Sequence, residues 1–177
     1  MSQVGKLNMV NSKLGATMPG QQTTRYIYDT VTAAAGQTNF NFFQTFAGKT
    51  DLETNLTTNK LDSSESMVIK SIYVSTNLTQ GLTGMSNLNI TVGNQVVLKD
   101  FNLAFNASNR GVSFDRLHSG FTGADALEVR LLTDIVIPPQ VNFRATLELA
   151  EGGTLIGEKI TIGLKGYGTI FSAGSTF

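Results

Sequence analysis

The stretch Asn87-Leu-Asn-Ile-Thr-Val92, followed by Gly93-Asn94 and then Gln95-Val-Val-Leu98, decides the fold. Leu88, Ile90 and Val92 alternate with Asn87, Asn89 and Thr91. Successive side chains of an extended strand point to opposite faces, so this run buries one face and wets the other. A Gly-Asn pair between two such runs predicts a tight antiparallel hairpin, because both residues tolerate positive φ. The returning strand is expected over Val96–Leu103.

The same period recurs on both sides. Upstream, Met67–Val74 reads as a strong strand, with Met67 and Ile69 or the alternate face turned inward. Before it, Asp51–Ser66 is polar and reads as a long loop. From Thr24, Tyr26, Tyr28 and Thr30 point one way and Ile27, Asp29 and Val31 the other; Phe40 and Phe42 resume the alternation after Gly36. Downstream, Leu127, Val129 and Leu131 form one expected strand. A second, Ile135–Ile137, stops at Pro138-Pro139, which offer no ladder donors. Val141 to Leu149 alternates again, Glu151-Gly152-Gly153 turns the chain, and Ile160, Ile162 and Leu164 open a last strand that Gly166 and Gly168 bend. No segment holds helical spacing over three turns. From Met67 onward about eight runs are counted, with one or two before them. This predicts an all-β, antiparallel two-sheet sandwich, a single jelly roll of about eight strands. Residues 1–24, polar and rich in Gly, Gln and Asn, are expected to form an extended N-terminal arm, with the jelly-roll domain over residues 25–177.

The totals narrow the function classes. The 177 residues suit one domain, and with no cysteine there is neither a disulfide framework nor a thiolate metal site. Thirteen basic residues balance thirteen acidic ones, and 15% charged residues is low against the usual share of about 25%. A weakly charged surface at zero net charge favours association. Residues 1–20 lack a continuous apolar core, so no secretory signal is expected, and no run approaches a membrane span. The sequons at Asn55, Asn77, Asn89 and Asn106 then read as accidents of an Asn/Thr-rich chain.

Several stretches resemble the jelly-roll capsid proteins of tailless icosahedral bacteriophages. They are Tyr26-Ile-Tyr-Asp-Thr-Val31 after a Gln-rich arm, Thr54-Asn-Leu-Thr-Thr-Asn-Lys-Leu61, and Glu65-Ser-Met-Val-Ile-Lys-Ser-Ile72. Later in the chain come Ile135-Val-Ile-Pro-Pro-Gln-Val-Asn-Phe-Arg-Ala-Thr-Leu147 and Ile160-Thr-Ile-Gly-Leu-Lys-Gly166. The resemblance spans most of the chain after residue 24. It implies a single-roll major or minor capsid subunit that self-associates and joins other capsid proteins in icosahedral capsomers. It also implies residence in the virion after synthesis in the host cytoplasm, and a genome or internal membrane beneath the shell.

Chemical constellations are sparse. Ala47-Gly-Lys-Thr50 echoes the end of a phosphate-binding loop, but Phe43 stands where the first glycine belongs and no helix is expected after Thr50; a polar turn is the plainer reading. His118 is the one histidine, in a Gly-rich loop without a nucleophile elbow, which argues against a triad and against a histidine-ligated cupin metal. Asp62 with Glu65 and Glu148 with Glu151 read as solvated carboxylates rather than a glycosidase pair. No enzymatic activity, cofactor or metal is expected. The candidate assembly contacts are Lys6, Lys13 and Arg25 in and beside the arm, Phe43 and Phe46, and Phe177 at the end of the chain. Phe40 and Phe42 belong to the core, whereas Phe43 breaks their alternation and is expected to face a neighbour. The three basic residues are available for a neighbouring subunit, genome phosphates or anionic lipid. A receptor- or carbohydrate-binding spike or fibre module is the alternative, although the chain has no tryptophan for a sugar platform.

Overall fold

The computed structural model describes residues 20–76, 86–102, 125–149 and 159–171. They form eight strands: β1 (Gly20–Thr32), β2 (Asn39–Phe42), β3 (Glu65–Thr76), β4 (Ser86–Val92), β5 (Gln95–Asn102), β6 (Asp125–Ile137), β7 (Phe143–Leu149) and β8 (Lys159–Phe171). One sheet has the order β1-β8-β3-β6 and the other β2-β7-β4-β5. The pairing is nested: first with eighth, second with seventh, third with sixth, fourth with fifth, all antiparallel. A long hairpin of four such pairs, rolled so that successive pairs alternate between sheets, is a jelly roll. No helix occurs among the described residues.

The core lies between the sheets, where the alternation predicts it. Ile27, Phe40, Phe42, Met67, Ile69, Leu88, Ile90, Phe143, Leu147 and Ile162 are all buried. The Gly93-Asn94 hairpin forms, with Gly93 at φ +60°, and joins β4 to β5.

Two expectations are corrected. The expected strands Leu127–Leu131 and Ile135–Ile137 are one strand, β6, so six strands rather than about eight run from Glu65 onward. β1 starts at Gly20 and pairs with β8 from Gly20↔Phe171. Phe43 faces inward; its backbone sits at φ +61°, and this left-handed step lets consecutive Phe42 and Phe43 both enter the core.

β3 combines the two faces that the alternation offered. Ile69 and Ser71 pair with adjacent Gly166 and Lys165 of β8, so Lys70 is an extra residue in a bulge. Before it Met67 and Ile69 enter the core; after it Ile72, Val74 and Thr76 do. The bulged backbone presses on β8, where a Cβ built on Gly166 would lie 1.9 Å from the Val68 carbonyl oxygen. Glycine is required there by close approach, and β8 continues through Gly166 and Gly168 as strand.

Candidate assembly surfaces

A sandwich has two long sides where sheet edges meet, and here they differ. On the β1/β2 side the segment after β2 folds back over the edge. Asp29, inward on β1 and fully buried, anchors it. The Phe43 backbone N–H donates to Asp29 Oδ2 at 2.7 Å, and Lys49 Nζ donates to Oδ1 at 2.6 Å. The Phe43 ring then lies against Phe143, with centroids 5.4 Å apart. Thr50–Thr54 makes one turn, in which the Thr50 N–H donates to the Glu53 carboxylate at 3.1 Å. Beyond it the chain covers the exposed backbone of β1. Thr30 N–H donates to the Glu53 carbonyl at 2.7 Å, and Thr54 Oγ1 donates to the Tyr28 carbonyl at 3.1 Å. The Asn55 side chain acts as a peptide group: its Oδ1 accepts from Tyr28 N–H at 3.0 Å and its Nδ2 donates to the Tyr26 carbonyl at 2.7 Å. The Tyr28 hydroxyl donates to the Asp51 carbonyl.

The β5/β6 side is built differently. Ile69 and Ser71 of β3 pair with Ile135 and Arg130 of β6, so Leu131–Asp134 bulge out of the ladder. Lys70 Nζ, in the facing bulge, holds Asp134 at 2.7 Å. The bulge carries Leu132 outward to 88% exposure. Beside it lies a groove of about 330 Å³, lined by Val97, Leu98 and Phe101 of β5 and by the 131–136 segment of β6. Val96 and Val97 of β5 are exposed as well. Two register shifts and the left-handed Asp100 (φ +49°) break the regularity of β5 as an edge.

The two outer sheet faces are also unlike. Across β2-β7-β4-β5 the rows are Asn39–Glu148–Asn87–Asn102, Asn41–Thr146–Asn89 and Arg144–Thr91–Val96, mostly amides and hydroxyls. At one end of this sheet a polar cleft of about 600 Å³ is lined by Gln44, Asn59, Thr91, Asn94, Asn142 and Arg144, among others. The β1-β8-β3-β6 face carries a Lys165–Glu128 ion pair. Lys165 lies 3.1 Å from Glu128 and 5.5 Å from the Tyr26 ring centroid, and Ser71 donates to Glu128 at 2.8 Å. Burial pushes Glu128 up, but the hydrogen bonds from Ser71 and Lys165 and the nearby ammonium outweigh it, so its carboxyl sits below the usual 4.5. The hydrogen bond to Glu128 raises Lys165 above 10.5. At the sheet margin Lys159 holds Glu53 at 2.8 Å; that hydrogen bond, with the one from the Thr50 N–H, lowers Glu53.

The site residues expected from the sequence divide accordingly. Arg25 crosses β8 at Gly168 and pairs with Glu65 at 2.6 Å, so its charge is used within the chain. Phe43 is core and Phe46 is half-buried against it. Lys6, Lys13 and Phe177 lie outside the described residues, as do His118 and the turn at Glu151-Gly152-Gly153. Lys49 is committed to Asp29 and Thr50 begins a single turn, which fits a polar turn at Ala47–Thr50 better than a phosphate loop. Among the described residues no group of three His, Cys, Asp or Glu side chains gathers as metal ligands. Sequence reasoning missed Leu132, Asn55 and the Asp29–Lys49 pair. For Asp29 a signal existed: an acid on the inward parity between Ile27 and Val31 calls for a buried partner.

These features define an eight-stranded jelly roll with one side strapped by its own chain and the other bearing a mainly apolar groove. No family model matches the chain, and no curated protein does. Among solved structures it is similar to a chain described as "nora virus structure". The likeness has a TM-score of 0.34 at 11% identity, over 89% of this chain and 64% of that one. The chain thus spans less than two thirds of that relative's length. It is also similar to a chain from the structure of empty-head turnip yellow mosaic virus, with a TM-score of 0.28 at 12% identity, over 91% of this chain and 88% of that one. The strand pairing, not this likeness, carries the fold assignment.

Proposed function

We propose that the chain is a virion structural protein, a capsid subunit that assembles with its own copies and with other capsid proteins into an icosahedral shell. The observation that carries the reading is a nested jelly roll whose β2-β7-β4-β5 outer face is mostly amides and hydroxyls. Such a brick is rigid, and its surface has few charges to desolvate when it meets a copy. The finer assignment, to the shell of a tailless bacteriophage, rests on the resemblance of the strand sequences. In this reading the residues before β1 are an arm, and Lys6, Lys13 and Phe177 reach neighbouring subunits, with genome or internal membrane as further contacts of the arm. The function is geometric: many weak, repeated contacts close a shell. The protein is made in the host cytoplasm, resides in the virion and performs no catalysis.

Electron microscopy of the purified full chain, over a range of concentrations and with its co-purifying partners, tests the reading. Closed shells containing many copies support it; monomers under all conditions overturn it. Removing Met1–Pro19 leaves β1 whole and is expected to keep the melting temperature while reducing particle yield. Unchanged yield would remove the arm from the mechanism.

A second reading, a receptor- or carbohydrate-binding module, is favoured by the polar cleft, whose amides and Arg144 suit vicinal hydroxyls. Oligosaccharide binding that Arg144→Ala abolishes would support it.

A further inference from the structure

We infer that the β5/β6 side of the sandwich is a two-fold docking surface for a second copy of this chain, with Leu132 as the inserted residue. The inference deepens the capsid reading and rests on it for the presence of many copies. Leu132, 88% exposed on the crest of an edge bulge, stands at an apolar groove together with the exposed Val97 of β5. Bulges re-aim side chains, and this one is held in shape by the Lys70–Asp134 ion pair at 2.7 Å. The protruding residue therefore has a fixed position. The groove beside it, about 330 Å³ and lined by Val97, Leu98 and Phe101 from the facing sheet, is large enough for a leucine side chain. A knob and a hole on one surface complement themselves when a second copy is turned through a half-rotation, because each knob then enters the other's hole.

The charges around the groove favour a copy of this chain as occupant. Lys99 and Asp100 are adjacent on β5, largely exposed, and only 4.0 Å apart, a weak pair in the single chain. With the two-fold axis passing beside this pair, each Lys99 would face the partner's Asp100 and each Asp100 the partner's Lys99. A surface with one sign of charge would repel its own copy; this one is neutral and self-complementary. Strand-to-strand pairing is the poorer way to use this side, since two register shifts and the left-handed Asp100 distort β5. Side chains, rather than backbone ladders, make the contact.

The absence of cysteine permits a direct test. Leu132→Cys and Leu52→Cys each add one thiol at a highly exposed position, 88% and 90%, on opposite sides of the sandwich. With a short bismaleimide, Leu132→Cys in the full chain is expected to give covalent dimers at least tenfold more efficiently than Leu52→Cys. Equal efficiency overturns the proposal. In sedimentation, Leu132→Asp is expected to lower the dimer population at least tenfold with an unchanged melting temperature; an unchanged mass distribution also overturns it. Shells formed by the wild type without Leu132→Cys cross-links would leave the capsid reading standing and remove this surface. Cross-linked dimers that never build shells would do the reverse.

Discussion

Asp29 and Gly166 show how single residues set the geometry of this sandwich. Asp29 is a fully buried carboxylate with two partners, Lys49 and the Phe43 N–H. Removing one member of a buried pair leaves an uncompensated charge and an unmet donor. Asp29→Ala is therefore expected to cost about 3 kcal/mol in chemical denaturation. Asp29→Asn, which keeps an acceptor for the Phe43 N–H, should recover part of that loss. If the two variants are equally stable, the Phe43 hydrogen bond is not what holds the segment. Gly166 and Gly163 give a paired test on one strand. At Gly166 a Cβ would overlap the Val68 carbonyl at 1.9 Å, whereas at Gly163 the nearest atoms, on Tyr73, are at 3.5 Å. Gly166→Ala is expected to destabilise by about 3 kcal/mol through overpacking, and Gly163→Ala to be neutral or slightly stabilising. A similar loss at both would mean that strand conformation, not close approach, requires the glycines. At this scale the sequence was partly legible. The inward parity of Asp29 could be read from Ile27 and Val31, but not its partner, because Lys49 lies beyond two turns. Phe43 misled because strict alternation assumes that no residue adopts a left-handed conformation, and this one does.

At the scale of elements, the strands were readable wherever one face is apolar and the other polar. β4 and β7 show this, since alternating burial is what a two-layer sandwich imposes on sequence. Bulges were not readable. The extra residue at Lys70 and the four between Arg130 and Ile135 depend on how β3, β6 and β8 fit together, and local pattern does not encode that fit. The long loop after β2 was correctly seen as polar, but its task was hidden. Its polarity serves to supply β1 with substitute ladder partners, as the Asn55 amide does for Tyr26 and Tyr28. An exposed edge strand invites pairing with another chain, and this loop blocks it. Asn55→Ala is expected to cost about 1 kcal/mol, since water replaces part of the lost bonding. It should also speed exchange of the Tyr28 amide hydrogen by an order of magnitude or more while leaving amides of β7 unchanged. Uniform acceleration across both sheets would instead indicate loss of the whole fold's stability.

For the whole molecule, acid and base should act through the ion pairs on the β1-β8-β3-β6 sheet and its margin. Glu53 and Glu128 both lie below the usual carboxylate value of 4.5, Glu53 chiefly through its hydrogen bond with Lys159. A carboxylate depressed in the folded state stabilises fully above its unfolded value, and the contribution is lost as pH falls through the folded one. Lys165 is raised above 10.5, so its contribution is present below that value and is lost as pH rises through the folded one. The net charge of zero at neutrality means that little overall repulsion opposes the folded state between these limits. Once the acids protonate, thirteen Lys and Arg charges remain uncompensated and add to the loss. The melting temperature is therefore expected to be highest between 4.5 and 10.5 and to fall on both sides. Glu53→Gln with Glu128→Gln separates the specific pairs from the general charge. The double variant should melt below the wild type at pH 7, and the difference should close as pH falls below 4.5, where the wild type loses the same interactions. A difference that stays constant into acid would show that the glutamates contribute through packing and hydrogen bonding rather than through charge. In that case the acid limb would belong to the uncompensated Lys and Arg charges alone.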